Sequence, residues 1–226
     1  MSDTGEHQVV HLWSLDEDVV VVAGDDETET VLRGRWGAQR VNTDDFVREA
    51  LYRMSLGPVR LTNVEYARGA GGGPAFQLKL APVLRQVAHL VVRTIAMDDL
   101  PGPLLSVHPL SRQASFTLVG APDGHRLRLV LGTSLAMRTE GLVMETPGSL
   151  YRVVVHRPEA VWVVGTLIRP CRLEDAVAAV PLPAGVIRGV IGYLLSAGVA
   201  TRADPVPSRR PRDEPRHRSQ GHQDAP

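Results

Sequence analysis

Apolar residues change their spacing several times along this chain, and the changes mark its elements. Val9–Val22 is rich in β-branched residues and ends in the continuous run Val19-Val20-Val21-Val22, which predicts a strand. Gly24-Asp25-Asp26-Glu27 is a turn signal, and Thr28–Leu32 and Arg35–Val41 read as the next strands. Thr43-Asp44-Asp45 is an N-cap cluster. After it Phe46, Val47, Ala50, Leu51 and Met54 recur at helical spacing until Gly57-Pro58. A short helix is expected from Leu61 to Ala67, then a flexible glycine-rich loop, Gly69–Pro74. From Phe76, Leu80, Val83, Leu84, Val87, Leu90, Val91 and Ile95 fit one helix face, with Pro82 in the first turn.

The second half repeats this order. Leu127–Leu131, Leu135–Thr139, Leu142–Glu145 and Tyr151–Val155 read as strands. A helix opens at Pro158-Glu159 and stops at Arg169-Pro170, a short one covers Leu173–Val180, and a last one runs from Ala184 to Ser196. Pro58-Val59-Arg60-Leu61 matches Pro170-Cys171-Arg172-Leu173, each directly after a helix. His89-Leu90 and Ile95-Ala96 match Tyr193-Leu194 and Val199-Ala200 at a slightly smaller offset.

Strands with three small helices form the winged-helix pattern. The expected fold is therefore α+β: two tandem winged-helix-like repeats, 9–99 and 127–201, packed together because each core is modest. A connector, 100–126, separates them, and Leu104–Leu110 within it adds a possible strand. The remainder, 202–226, holds Pro205, Pro207, Pro211, Pro215 and Pro226, six arginines and one large aliphatic residue, Val206. It reads as a disordered tail.

Composition narrows the functional classes. Among 226 residues, basic and acidic side chains number 25 each, so whole-molecule attraction to nucleic acid or an anionic membrane is disfavoured. One cysteine, Cys171, excludes an internal disulfide and a multi-cysteine zinc site. The start MSDTGEHQVV has no signal-peptide pattern, and Val186–Ala200 is too short to span a bilayer, so a cytoplasmic protein is expected.

No strong catalytic signature is present. Gly69–Pro74 lacks the flanking strand, helix and Lys-Ser/Thr of a phosphate loop. The eight histidines form no metal-ligand spacing. His156 with Glu159 is a conceivable acid–base pair, but Glu159 at a helix start is better explained by the helix dipole. Cys171, between Arg169 and Arg172, has no identifiable partner and reads as an inert small residue. Acidic turns (Asp16, Glu17, Asp18, Asp25, Asp26) oppose DNA binding, and a recognition helix in the second copy would offer only Arg188.

Peptide capture on a strand edge beside a helix needs neither net charge nor catalytic groups. Two grooves are expected: Arg35–Val41 against Gln77–Arg93, and Tyr151–Val155 against Ala184–Ser196. Their candidate peptide-binding residues are Arg35, Gln39, Val41, Arg85 and His89 in the first, and Arg152, Val154 and Arg188 in the second. The alternative is that the other copy or a second subunit of a homodimer covers these edges.

Several stretches, in order, carry a resemblance: WSLDEDVVVV from Trp13, LRGRWGAQRV from Leu32, VREALYRMSLGPVRLTNV from Val47, LVVRTIAMDD from Leu90, GPLLSVHPLSRQASF from Gly102 and LVMETPGSLYRVVVHRPEA from Leu142. Together they resemble the N-terminal region of SagB/ThcOx-type peptide dehydrogenases, from about Val9 to Ala200. That family oxidises azolines to azoles in ribosomally made, modified peptides, using FMN held by a following nitroreductase-type domain. This sequence passes instead into the proline- and arginine-rich tail. The resemblance thus implies no catalytic or flavin-binding residue here, FMN only in a partner or missing domain, and contact with a precursor leader peptide, a cyclodehydratase or a dehydrogenase subunit. The expected function is a non-catalytic recognition or scaffold component. The alternatives are the accessory half of a split FMN-dependent azoline dehydrogenase and a winged-helix DNA-binding regulator.

Overall fold

The computed structural model describes residues 9–26, 28–66, 76–98 and 101–203. The glycine-rich loop Gly69–Pro74 and the tail from Asp204 onward lie outside them. The protein is a mixed α+β structure with a six-stranded sheet and two three-stranded sheets.

The N-terminal part begins with β1 (Val9–Leu15) and continues through an antiparallel meander of β2 (Val20–Ala23), β3 (Glu29–Gly34) and β4 (Gly37–Asn42). Helix α1 (Asp45–Leu56) follows at the expected place. Asp44 caps it, its Oδ1 accepting from the Val47 N–H at 2.9 Å, and Val47, Ala50, Leu51 and Met54 are the buried stripe. Then come α2 (Leu61–Tyr66), a π-helical turn (Phe76–Leu80), α3 (Ala81–Gln86) and a 3-10 turn (Ala88–Leu90).

Here the expected helix from Phe76 to Ile95 is corrected. It ends at Leu90, and β5 (Val91–Met97) takes over, every residue of it buried. A strand covered on both faces carries an unbroken apolar run, which mimics a helix stripe when only apolar spacing is read. The segment expected as a connector contributes β6 (Pro103–Pro109), an inner strand with five of its seven residues buried.

The C-terminal part repeats the N-terminal order: β7 (Arg126–Leu129), the meander β8 (Ser134–Arg138), β9 (Gly141–Glu145) and β10 (Tyr151–Val155), α4 (Pro158–Thr166), β11 (Cys171–Arg172), α5 (Leu173–Ala179), α6 (Ala184–Ser196) and β12 (Ala200–Arg202). The pairing repeats as well. Trp13 of β1 bridges Val59 on one side and pairs with Arg93 of β5 on the other. Leu127 of β7 pairs with Cys171 of β11 and with Arg202 of β12. The Pro58 and Pro170 match is therefore structural. The second match is displaced, because strand pairing equates Arg93 with Arg202 rather than Ile95 with Val199.

The units are joined by main-chain pairing. The large sheet has the order β1-β5-β6-β10-β9-β8, so β6 pairs with β5 of the first unit and β10 of the second. One apolar cluster lies among α4, α5, α6 and this sheet, around Ile95, Leu105, Val153, Val164 and Ile187. Another lies under α1 and α3, around Leu32, Leu51, Met54 and Leu84. Two glycines permit close approaches. A Cβ on Gly192 of α6 would stand 2.8 Å from the Val119 carbonyl oxygen. Gly141 has φ +136° and its Cβ would stand 2.4 Å from the Val155 carbonyl oxygen.

Gly141→Ala is accordingly expected to destabilise the protein by about 2–4 kcal/mol, read from urea denaturation midpoints at constant m. A change below about 0.5 kcal/mol would contradict the close approach of Gly141 to the Val155 carbonyl.

Candidate functional site

The site expected on the first unit is an accessible strand edge. β4 is the last strand of its sheet, and its backbone alternates between the β3 ladder and the outside. The two-residue turn Arg35-Trp36 sets Gly34 opposite Gly37, and Thr43 N–H donates to Thr28. This register turns the N–H and C=O groups of Ala38, Arg40 and Asn42 outward. The Gln86 side chain of α3 reaches this edge and donates to the Arg40 carbonyl at 3.2 Å.

The equivalent edge in the second unit is occupied. β10 follows β9 as β4 follows β3, but its other side pairs with β6 over Tyr151–Val155 and Pro109–Leu105. Helix α6 packs against β6. The second expected groove, Tyr151–Val155 against Ala184–Ser196, is thus corrected: a strand of the chain itself fills it, satisfying the donors an added peptide would need.

The expected residues have correspondingly different places. Gln39 lies on β4, its amide donating to the neighbouring Arg40 carbonyl at 3.4 Å. Val41 is 2% exposed and belongs to the first core rather than to a surface. Arg85 lines a cleft with Trp13 and Phe116, on a different side of α3 from Gln86. His89 packs against Trp36, ring centroids 5.7 Å apart. Val154 is 1% exposed inside the large sheet, and Arg152 lies between His108 of β6 and Glu145 of β9. Arg188 pairs with Asp123 at 2.8 Å.

Arg35 is held by the fold. Its Nη2 donates to Asp16 Oδ2 at 2.5 Å and to the Pro109 carbonyl at 3.1 Å, and its guanidinium lies 4.4 Å from the centroid of Trp36. It therefore clamps the β3–β4 turn to the end of β6. Burial pushes the Asp16 carboxyl above its ordinary pKa, and Arg35 pulls it back.

Three polar side chains that sequence reading did not group meet where β6, carrying Ser106 and His108, passes His156 just after β10. Ser106 Oγ lies 2.8 Å from Nε2 of both His108 and His156. His156 Nδ1 faces the Glu140 carbonyl at 3.1 Å and must be its protonated nitrogen. Its Nε2 then accepts from Ser106, and Ser106 accepts from His108. In this pattern His156, with an accepting Nε2, is neutral, while the desolvation of His108 favours its neutral form as well. Burial first, and Arg152 next, push His108 down to about 4, and burial also lowers His156. Glu159 pairs with Arg157 at 3.1 Å, which removes it as a partner for His156. Cys171 is pushed above its ordinary pKa, chiefly by burial, as suits an unreactive thiol. Among the described residues no group of three or more His, Cys, Asp or Glu side chains could hold a metal ion. None of their helices is long and apolar enough to cross a membrane.

Two measurements check these roles. His108 is neutral when folded but has an ordinary pKa near 6.5 when unfolded, so its contribution is complete above pH 6.5 and lost as pH falls toward 4. Up to about 3 kcal/mol of acid-linked stability is expected from it, and His108→Gln should flatten the profile in that window. Arg35→Ala, which strands Asp16, should cost about 1–3 kcal/mol in denaturation whether or not a peptide is present. A variant of wild-type stability would remove the clamp.

Arg93, expected at the end of the outer helix face Gln77–Arg93, is instead buried within β5. The signal was present as one cation inside the apolar run Leu90–Met97, but reading that run as an amphipathic helix assigned it to an exposed face. No family model matches this chain, and a search of curated proteins returns no match to it.

Proposed function

We propose that this chain is a peptide-recognition component built from two winged-helix-like units, and that it captures an extended peptide on the outer edge of β4. The observation that carries the reading is the filled counterpart. In the second unit a strand lies antiparallel on β10 with α6 against it, whereas in the first unit the corresponding strand, β4, is an edge with α3 beside it. The same architecture accepts a strand at that place once within the chain.

The sequence resemblance described above supplies the peptide class: the leader of a ribosomally made precursor, in a complex where a partner carries FMN and the azoline-oxidising chemistry. Charge pairing favours this over DNA recognition. Arg35, Arg40, Arg48, Arg53 and Arg188 are each engaged with an acidic side chain, so their charge is locally compensated.

Calorimetric titration with the leader segment of a co-encoded precursor tests the proposal. Ala38→Pro deletes an outward N–H of β4 and is expected to weaken binding at least about tenfold. Leu135→Pro, on the opposite exposed strand β8, should leave affinity unchanged. Equal affinity of Ala38→Pro and the unaltered chain would rule out the β4 edge. Self-association abolished by Ala38→Pro, without leader binding, would assign that edge to a second copy instead.

A further inference from the structure

A second site lies away from the β4 edge. β1, β5, α3 and the chain after β6 enclose a cleft of about 300 Å³, walled by Trp13, Leu84, Val91 and Phe116, with Ser115 and Arg93 supplying polar groups. Arg93 is only 9% exposed. Its guanidinium carbon stands 3.3 Å from the ring centroid of Trp13, its cross-strand partner, and 5.3 Å from that of Phe116. Arg93 Nε is buried without a hydrogen-bond partner. No carboxylate among the described residues forms an ion pair with Arg93, and no acidic residue lines the cleft.

Stacking between two aromatic faces stabilises a guanidinium only in part; the Tyr193 hydroxyl hydrogen-bonds Arg93 but brings no formal charge, and Nε still lacks an acceptor. Withdrawn from water, such a cation is costly until an anion meets it. A single buried guanidinium among apolar walls suits a singly charged group on an apolar body better than a phosphate, which brings more charge and more acceptors than one buried cation can satisfy. Arg85, the second arginine at the cleft, is exposed, so its field there is screened by water. The volume is at the small end for ligand sites, which suits a small molecule.

We propose that this cleft is a binding site for a small apolar monocarboxylate, its carboxylate paired with Arg93 and its body held among Trp13, Leu84 and Phe116. The site is independent of the peptide edge, since α3 presents Gln86 to β4 and Arg85 to the cleft.

Calorimetric titration of the full chain with phenylpropanoate and hexanoate, each against its amide, tests it. At least one acid should bind, with its amide at least about tenfold weaker, because only the acid gains a charge-assisted bond. Arg93→Met keeps an apolar stem between the rings and should abolish the preference for acid. Phe116→Ala, at the cleft wall, should weaken acid and amide together. No binding of either acid up to about 10 mM, equal binding of acid and amide, or an undiminished preference in Arg93→Met would each overturn the proposal. If Arg93→Met does not fold, the acid-against-amide comparison on the unaltered chain decides.

Discussion

Buried backbone N–H and C=O groups left unpaired are expensive, and β6 pairs those of β5 and β10. It pairs with β5 on one side and β10 on the other, and so turns two small units into one six-stranded sheet. Side chains follow from that insertion. Leu104, Leu105 and Val107 enter the core, while Ser106 bonds His108 and His156. The Pro109 carbonyl at the end of β6 receives Arg35 from the first unit's hairpin turn. A single strand therefore fixes the relation of the units more firmly than side-chain packing between them would.

The same insertion separates two edges that the repeat would otherwise make alike. β4 and β10 have the same place in their meanders, yet only β4 remains an edge. The two meanders thus differ at this place while sharing the same strand order. One copy has its strand supplied within the chain, and the other presents outward N–H and C=O groups beside α3.

How much of this was legible depended on punctuation and on burial. β10 at Tyr151–Val155 and α6 at Ala184–Ser196 lie where proline and glycine bound them in the sequence. The capped helix α1 was equally plain, because Asp44 and the Val47, Ala50, Leu51, Met54 stripe are both local signals. β5 was not, since a strand buried on two faces has no alternation to reveal it; its β-branched Val91, Val92, Thr94 and Ile95 were the better guide. The candidate edge at Gln39 was found but its outward residues were not, because register depends on the turn at Arg35-Trp36. The grouping of Ser106 with His156, fifty residues apart, depends on strand order, which no local pattern encodes.

The shared sheet also has a consequence during synthesis. As residues leave the ribosome in order, β5 emerges before β6, and β6 long before β10 at Tyr151–Val155. Nascent chains must therefore hold a bare apolar strand through that interval, when pairing between neighbouring chains competes with the native partner. An N-terminal fragment ending near Met97 would keep that hazard permanently, so the two parts of the chain form a single unit of biogenesis.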